Sequence, residues 1–299
     1  MNFDNKNIFL GNLPDNVKPS LAIFLSGSGS NAEKLLSDAD VKSSVNFSVL
    51  VTDAPEKSRA EAIGAKFGLP VVSSSIRQFY RDHGLNTISL ATEAGRNVRE
   101  LWTAELRNML KDYPIDFGVL AGFEPLCNIT NDFPCLNVHP GDLSKVDANG
   151  NRCYVGLHSR PVEAAILAGE KELRSSVILA GGFSDASKDM DNGLLLGVSG
   201  GMTMDFGDLT LEELRGINAL RTGKKPAGGW PDKLAEFASL QQDLLKVAGD
   251  HIILPLVVRD FARKCFALAD DKLYYRASTS EPFCEAKSNN YDANGLRII

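Results

Sequence analysis

Asn137 and His139 stand two apart in Cys135-Leu136-Asn137-Val138-His139-Pro140, at the end of a short apolar run. In extended chain, residues two apart leave the same face, so a carboxamide and an imidazole look into one space. That pairing suits an acyl centre. The amide can hold an oxygen on which negative charge develops, and the imidazole can handle protons near neutral pH. A histidine hydrogen-bonded within a loop accounts for the same residues. Further on, Met190-Asp191-Asn192-Gly193 precedes another apolar run and offers a carboxylate for His139. The same residues also make an ordinary Asp-Asn-Gly turn between strands.

A second group, Gly27-Ser28-Gly29-Ser30-Asn31-Ala32, follows an apolar run and opens a helical pattern. Small residues let the backbone approach a phosphate, and the free amides of a helix start favour its charge. The run also fits G-x-G-x-x-G/A, with Asp53 ending the next apolar run at nearly the spacing of a dinucleotide fingerprint. An NAD-dependent oxidoreductase and a tight turn with no ligand therefore stand beside the phosphate reading. No Gly-Lys-Ser/Thr follows, so this is not a Walker loop.

The elements that must position these groups are legible as period. Apolar runs at 21–25, 45–51, 117–123, 135–138 and 177–180 alternate with amphipathic stretches, such as Val98, Leu101, Trp102, Leu106, Met109 and Leu110. Fully apolar strands separated by helices predict an α/β fold, an open, mostly parallel twisted sheet with helices on both faces and ligands at the carboxyl strand ends. Beyond residue 200, a Gly-, Lys- and Pro-rich stretch (221–231) reads as a loop. Two helices follow, the second with Pro255 in its first turn or at a kink. Residues 272–276 read as a last strand, and the polar tail after Ser278 as poorly ordered. The expected organisation is an N-terminal extension (1–20), one domain (21–275) with inserts near 141–153, 182–190 and 200–231, and a C-terminal tail (276–299).

Composition narrows the class. The chain has 299 residues, 43% of them hydrophobic and 23% charged, with a net charge of −6. That is globular rather than disordered, and it leaves no basic excess for nucleic acid. No apolar stretch approaches the ~20 residues of a membrane span, and the first twenty residues lack a signal-peptide pattern, so a soluble, cytoplasmic protein is expected. Five cysteines without a CxxC pair, and no histidine at ligand spacing, point to buried reduced thiols and no metal site.

Taken in order, these pieces resemble the folate-dependent formyltransferases, most closely the phosphoribosylglycinamide formyltransferase branch. LAIFLSGSGSN is similar to that branch's opening strand and phosphate loop, FGVLAGF to the strand lining the folate pocket, and LNVHP to its Asn-x-His-Pro. YVGLHSRPVEAAILAG resembles the Pro-Gly-Leu-His segment and its helix, DNG the Asp-x-Gly turn, and DHIILPLVV the late helix whose acidic residue contacts substrate ribose. The related methionyl-tRNA formyltransferases keep Asn-x-His but lack the SGSGSN loop, so the resemblance favours a small phosphorylated amine over tRNA.

The resemblance implies formyl transfer from 10-formyltetrahydrofolate, as co-substrate, to such an amine, with glycinamide ribonucleotide of purine biosynthesis the leading acceptor. It assigns Asn137, His139 and Asp191 to catalysis. It assigns Gly27, Ser28, Gly29, Ser30, Asn31, His158 and Asp250 to the phosphorylated substrate. Leu120, Ala121, Gly122, Phe123, Glu124 and Leu126 fall on the folate side. The implied partners are these small molecules alone, with no nucleic acid, membrane or metal, in a monomer or homodimer. For Asp250, charge complementarity at a helix N-terminus is the alternative.

Departures from the pattern leave room for a different acceptor. Gly141-Asp142-Leu143-Ser144 replaces the family's Ser-Leu-Leu-Pro, and a polar insert follows at 145–152. The loop before Asp191 is longer and includes Asp185 and Asp189, either of which could take the carboxylate role. Leu194 replaces a usual proline, and Glu124-Pro125 stands where Met-Arg is common. Another phosphorylated amine or amino sugar, and a catalytically dead binding protein, remain alternatives. On the phosphate-loop reading, Gly29→Val should raise the KM for the phosphorylated substrate by crowding the anion.

Overall fold

The computed structural model describes residues 7–182, 191–223, 226, 229–286 and 288–291. The strands are β1 (Ser20–Phe24), β2 (Asn46–Thr52), β3 (Val71–Ser73), β4 (Phe117–Leu120), β5 (Cys135–His139), β6 (Glu172–Leu173), β7 (Ser176–Ala180), β8 (Leu194–Val198), β9 (Met202–Thr203), β10 (Phe266–Ala269), β11 (Lys272–Tyr275) and β12 (Cys284–Glu285). The helices are α1 (Ser30–Ser37), α2 (Ala39–Ser44), α3 (Ala60–Phe67), α4 (Ile76–Asp82), α5 (Glu93–Leu110), α6 (Arg160–Ala168), α7 (Leu211–Leu220), α8 (Lys233–Leu245) and α9 (His251–Ala262).

Why β1 sits in the middle is visible in its sequence. Leu21, Ile23 and Leu25 pack into one apolar cluster with α1 and α9, while Ala22 and Phe24 pack into another with α5. A strand buried on both faces needs no polar alternation. Among the described residues it belongs to a seven-stranded sheet in the order β3-β2-β1-β4-β5-β7-β8. The first five are parallel, and β7 is antiparallel to both β5 and β8. From β1 the chain builds outward first through β2 and then through β4, which makes the carboxyl ends of β1 and β4 the topological switch point.

Capping and period define the helices that cover this sheet. Thr92 accepts from Gly95 N at 3.1 Å to start α5, and Val98, Trp102, Leu106 and Leu110 then face the core at four-residue spacing. Leu101, expected on that face, is 52% exposed. Thr210 and Glu213 form a reciprocal capping box on α7, and Asp232 caps α8.

Two expectations are corrected here. The two late helices are one continuous rod: α8 passes through a π-turn at Lys246–Asp250 directly into α9. Pro255 lies inside α9, where it has no N–H to give the His251 carbonyl, and the π-turn ends just ahead of that carbonyl. The polar tail is also ordered where it is described. β12 pairs with β11, Val198 bridges to Asn290, and Tyr291 is 2% exposed, with its hydroxyl donating to Asp260 Oδ2 at 2.9 Å. Tyr275 OH donates to the same oxygen at 3.1 Å. At the other end, Phe9 stacks on Phe261 and the buried Lys264 binds Asp15 at 2.7 Å. No described helix is long and apolar enough to cross a membrane.

Tyr291→Ala should therefore cost about 3–5 kcal/mol, the range for deleting a buried aromatic ring. Equilibrium urea unfolding measures it, and an unchanged midpoint would mean that the tail contributes nothing to the core.

Candidate active site

One face of the sheet carries a cavity of about 240 Å³. Asn137 and His139 of β5 project to it as alternate residues, as do Ile178 and Ala180 of β7, with Leu120 of β4 beside them. Gln242, Lys246 and Asp250 of the α8–α9 rod line it from another side. The 122–127 loop, Gly156, Leu157, His158, Asp191 and Asn31 also line it.

His139 is 3% exposed and both of its nitrogens are engaged. Nδ1 lies 3.1 Å from Asp191 Oδ1, and Nε2 donates to the Tyr154 carbonyl at 2.7 Å. A neutral imidazole carries one N–H. Each nitrogen thus faces an oxygen, Asp191 Oδ1 on one side and the Tyr154 carbonyl on the other. The other Asp191 oxygen accepts from Gly156 N at 2.8 Å. Gly141 permits this packing: a Cβ there would come within 2.7 Å of the Tyr154 oxygen and 2.9 Å of His139 Nε2. Asn137 is half-buried, and no hydrogen bond ties its side chain among the described residues.

Two rim residues hold left-handed backbone without being glycine, Asp191 at φ 63° and His158 at φ 57°. Such conformations cost about 1–3 kcal/mol each and persist only where surrounding contacts over-determine them. His158 is exposed at the cavity edge.

Asp250 is buried between Ser175 Oγ, which donates to Oδ1 at 2.5 Å, and Asn31 Nδ2, which donates to Oδ2 at 3.1 Å. Burial pushes its carboxyl up, against the pull of those two donors. Because the rod is continuous through the π-turn, no free helix N-terminus exists at Asp250, and charge complementarity there is ruled out. Asn31 Oδ1 is buried without a partner among the described residues, an acceptor that calls for a donor from the cavity.

Of the glycine loop, only Asn31 lines the cavity. Gly27, Ser28, Gly29 and Ser30 form the turn leading into α1, whose first amides have no side-chain cap. Gly29 points inward at φ 68°: an added Cβ would lie 2.3 Å from Ile63 Cδ1 and 2.9 Å from Leu25 Cδ1. Gly27 has open space. Of the residues that the resemblance assigns to the folate side, Leu120, Gly122, Phe123, Glu124 and Leu126 line the cavity, but Ala121 does not. Ala121 is buried, and its N–H donates to Phe24 O at 2.8 Å. Glu124 is exposed and pairs with Lys57 at 3.4 Å.

Asp53, the acid of the dinucleotide pattern, is outside the cavity lining. It is buried at the end of β2 and accepts from Ser26 Oγ, and burial pushes its carboxyl up. Asp185 and Asp189 lie outside the described residues. Among those described, no group of three or more His, Cys, Asp or Glu could hold a metal ion.

Several groups of the site carried no sequence signal. The Tyr154 carbonyl and the Gly156 amide act through backbone, which any residue supplies. Gln242 and Lys246 reach the cavity because of the π-turn and the helix ahead of it. Ser175 could have been sought as a small polar residue just before an apolar strand.

No family model matches the chain, and neither does any curated protein. Solved structures do. A phosphoribosylglycinamide formyltransferase from Anaplasma phagocytophilum aligns over 93% of this chain and 100% of its own, with a TM-score of 0.56 at 19% identity. The enzyme from Coxiella burnetii covers 92% and 99%, with a TM-score of 0.57 at 16% identity. Glycinamide ribonucleotide transformylase 1 from Symbiobacterium toebii covers 86% and 93%, with a TM-score of 0.55 at 19% identity. At these identities the likeness is one of fold.

The inward path of Gly29 changes what its substitution reports. Gly29→Val should destabilise the protein by on the order of 3 kcal/mol through strain and overpacking, rather than act on KM alone. Gly27→Ala should leave stability within about 0.5 kcal/mol. Urea unfolding of both distinguishes them, and equal stability would contradict the inward path.

Proposed function

We propose that this chain, which has the fold of the phosphoribosylglycinamide formyltransferases, transfers a formyl group from 10-formyltetrahydrofolate to the amine of a small phosphorylated acceptor. Glycinamide ribonucleotide is the first candidate. The observation that carries this reading is the convergence of Asn137, His139 and Asp191 on one cavity, with His139 Nδ1 facing Asp191 Oδ1 at 3.1 Å.

The cavity suits both reactants. Leu120, Phe123, Pro125, Leu126 and Ile178 give an apolar wall for a flat ring, broken by main chain at Gly122. Opposite lie the polar groups of Asn31, Asp250, Lys246 and Gln242. The folate supplies the activated formyl carbon. The chain's own residues bring the acceptor amine to it, and holding two reactants side by side is itself a large part of the acceleration.

Asn137 donates its free amide to the formyl oxygen as negative charge develops there. His139 lies beside it and helps move the proton that the attacking nitrogen loses toward the leaving folate nitrogen, which gains it. Asp191 fixes the ring. Asn31 Oδ1 accepts from an acceptor N–H or O–H, and the carboxylate of Asp250 accepts from hydroxyls. The amides at the start of α1, reached past Gly27 and Ser28, receive the phosphate.

The dinucleotide reading lacks its acid, since Asp53 is buried and tied to Ser26. A thermal-shift comparison separates the two: a folate analogue should raise the melting temperature and NAD should not. The direct assay incubates 10-formyltetrahydrofolate with glycinamide ribonucleotide and a panel of phosphorylated amines, following release of the spent folate. Asn137→Ala and His139→Ala should each lower kcat by about a hundredfold or more while the protein stays folded. Near-normal rates in both would refute the assignment, and folate binding with no turnover on any amine would point to a non-catalytic homologue.

A further inference from the structure

The polar insert has a structure of its own. Val146 and Arg152 bridge as an antiparallel pair, and Asp147 N donates to Asn151 O at 2.8 Å. The Asp147 carboxylate gathers the tip, accepting from Asn149 N and Asn151 N at 2.8 Å each. Gly150, at φ 83°, supplies the left-handed step. This is a tight hairpin whose tip is exposed and whose last residue turns inward.

That last residue is Arg152. Its guanidinium donates through Nη1 to the Asp191 carbonyl and through Nη2 to the Gly193 carbonyl at 2.8 Å, straddling Asn192. The two planar N–H groups match two carbonyls of one turn, a geometry that lysine's single ammonium cannot reproduce. No carboxylate forms an ion pair with Arg152 among the described residues. Burial lowers its pKa, and the charge that opposes the effect is the Asp191 carboxylate.

Asp191 is therefore held at both ends. Its carboxylate is fixed by His139 and Gly156, and its carbonyl by Arg152. Asp191 has a left-handed φ of 63°, a conformation that these contacts hold in place. We propose that Arg152, delivered by the 146–152 hairpin, is a positioning residue that locks the Asp191 turn so that its carboxylate stays on His139 Nδ1. The kinetic half of this proposal rests on the formyl-transfer reading; the structural half does not.

Two readouts test it. The chain has four histidines, so ¹⁵N-histidine NMR with His139→Ala as the assignment control reads the His139 ring directly. In the wild type, the His139 ¹⁵N signature should be that of a ring held by Asp191 at Nδ1 and by the Tyr154 carbonyl at Nε2. Arg152→Gln should lose the Nδ1 part of that signature, and Arg152→Lys should retain it only in part. In the transfer assay, kcat should fall by about 10–100-fold in Arg152→Gln, with KM for both substrates within about twofold, as for loss of an orienting contact. Millimolar guanidinium added to Arg152→Ala should recover part of the rate and of the Nδ1 signal.

An Arg152→Gln protein, folded by circular dichroism, with wild-type His139 resonances overturns the proposal. So does a loss confined to KM. If the wild type turns over no amine, the NMR comparison still decides for or against Arg152, and the failure then belongs to the formyl-transfer reading alone.

Discussion

A buried imidazole with an acceptor on each nitrogen is the interaction around which the site is arranged. Burying such a ring among carbonyl and carboxylate oxygens is tolerable only if every polar atom finds its partner. That requirement dictates much of the surrounding backbone. Tyr154 must bring its carbonyl within 2.7 Å of Nε2, which needs a residue without Cβ at Gly141. Asp191 must reach Nδ1 from a separate turn, and it does so in a left-handed conformation braced by Gly156 and Arg152. The same constraint gives the pair its chemistry. A ring held in place on both sides spends little reorganisation when charge appears beside it.

The rest of the fold brings these loops together. Parallel strands β1, β4 and β5 end at the same side of the sheet, so their following loops share a crevice although they are far apart in sequence. The α8–α9 rod crosses that region, and its π-turn turns Lys246 and Asp250 into the cavity. Gly249 lets the rod come close, since a Cβ there would lie 2.4 Å from Ser175 Oγ, the same hydroxyl that holds Asp250. Behind the rod, Asp260 collects the hydroxyls of Tyr275 and Tyr291 and so ties the last strands and the tail to the core.

Much of this was legible in residue order, and the reasons for the rest are physical. Continuous apolar runs predicted the buried strands because burial on both faces leaves no polar period to confuse. Asn137 and His139 were found together because strand geometry places alternate residues on one face. The π-turn was invisible, since nothing in Lys246-Val247-Ala248-Gly249-Asp250 breaks helical period and Pro255 suggested a boundary instead. The tail read as polar because Tyr291, its buried aromatic, stands among hydrophilic neighbours, and its other ties to the core run through backbone. Gly29 looked like a phosphate contact, yet its missing side chain makes room for Ile63 and Leu25. Arg152 stood out only as part of an insert, because its partners are two backbone carbonyls that leave no mark on sequence.

The most direct measurement is a crystal structure of the protein soaked with a formyl-folate analogue and a phosphorylated amine. The account predicts the analogue's carbonyl oxygen at about 2.7–3.1 Å from Asn137 Nδ2, beside the His139 ring, with the phosphate at the start of α1. An analogue seated elsewhere, such as the polar cleft formed by Lys145, Glu170 and Arg174 on the other side of Tyr154, would contradict it.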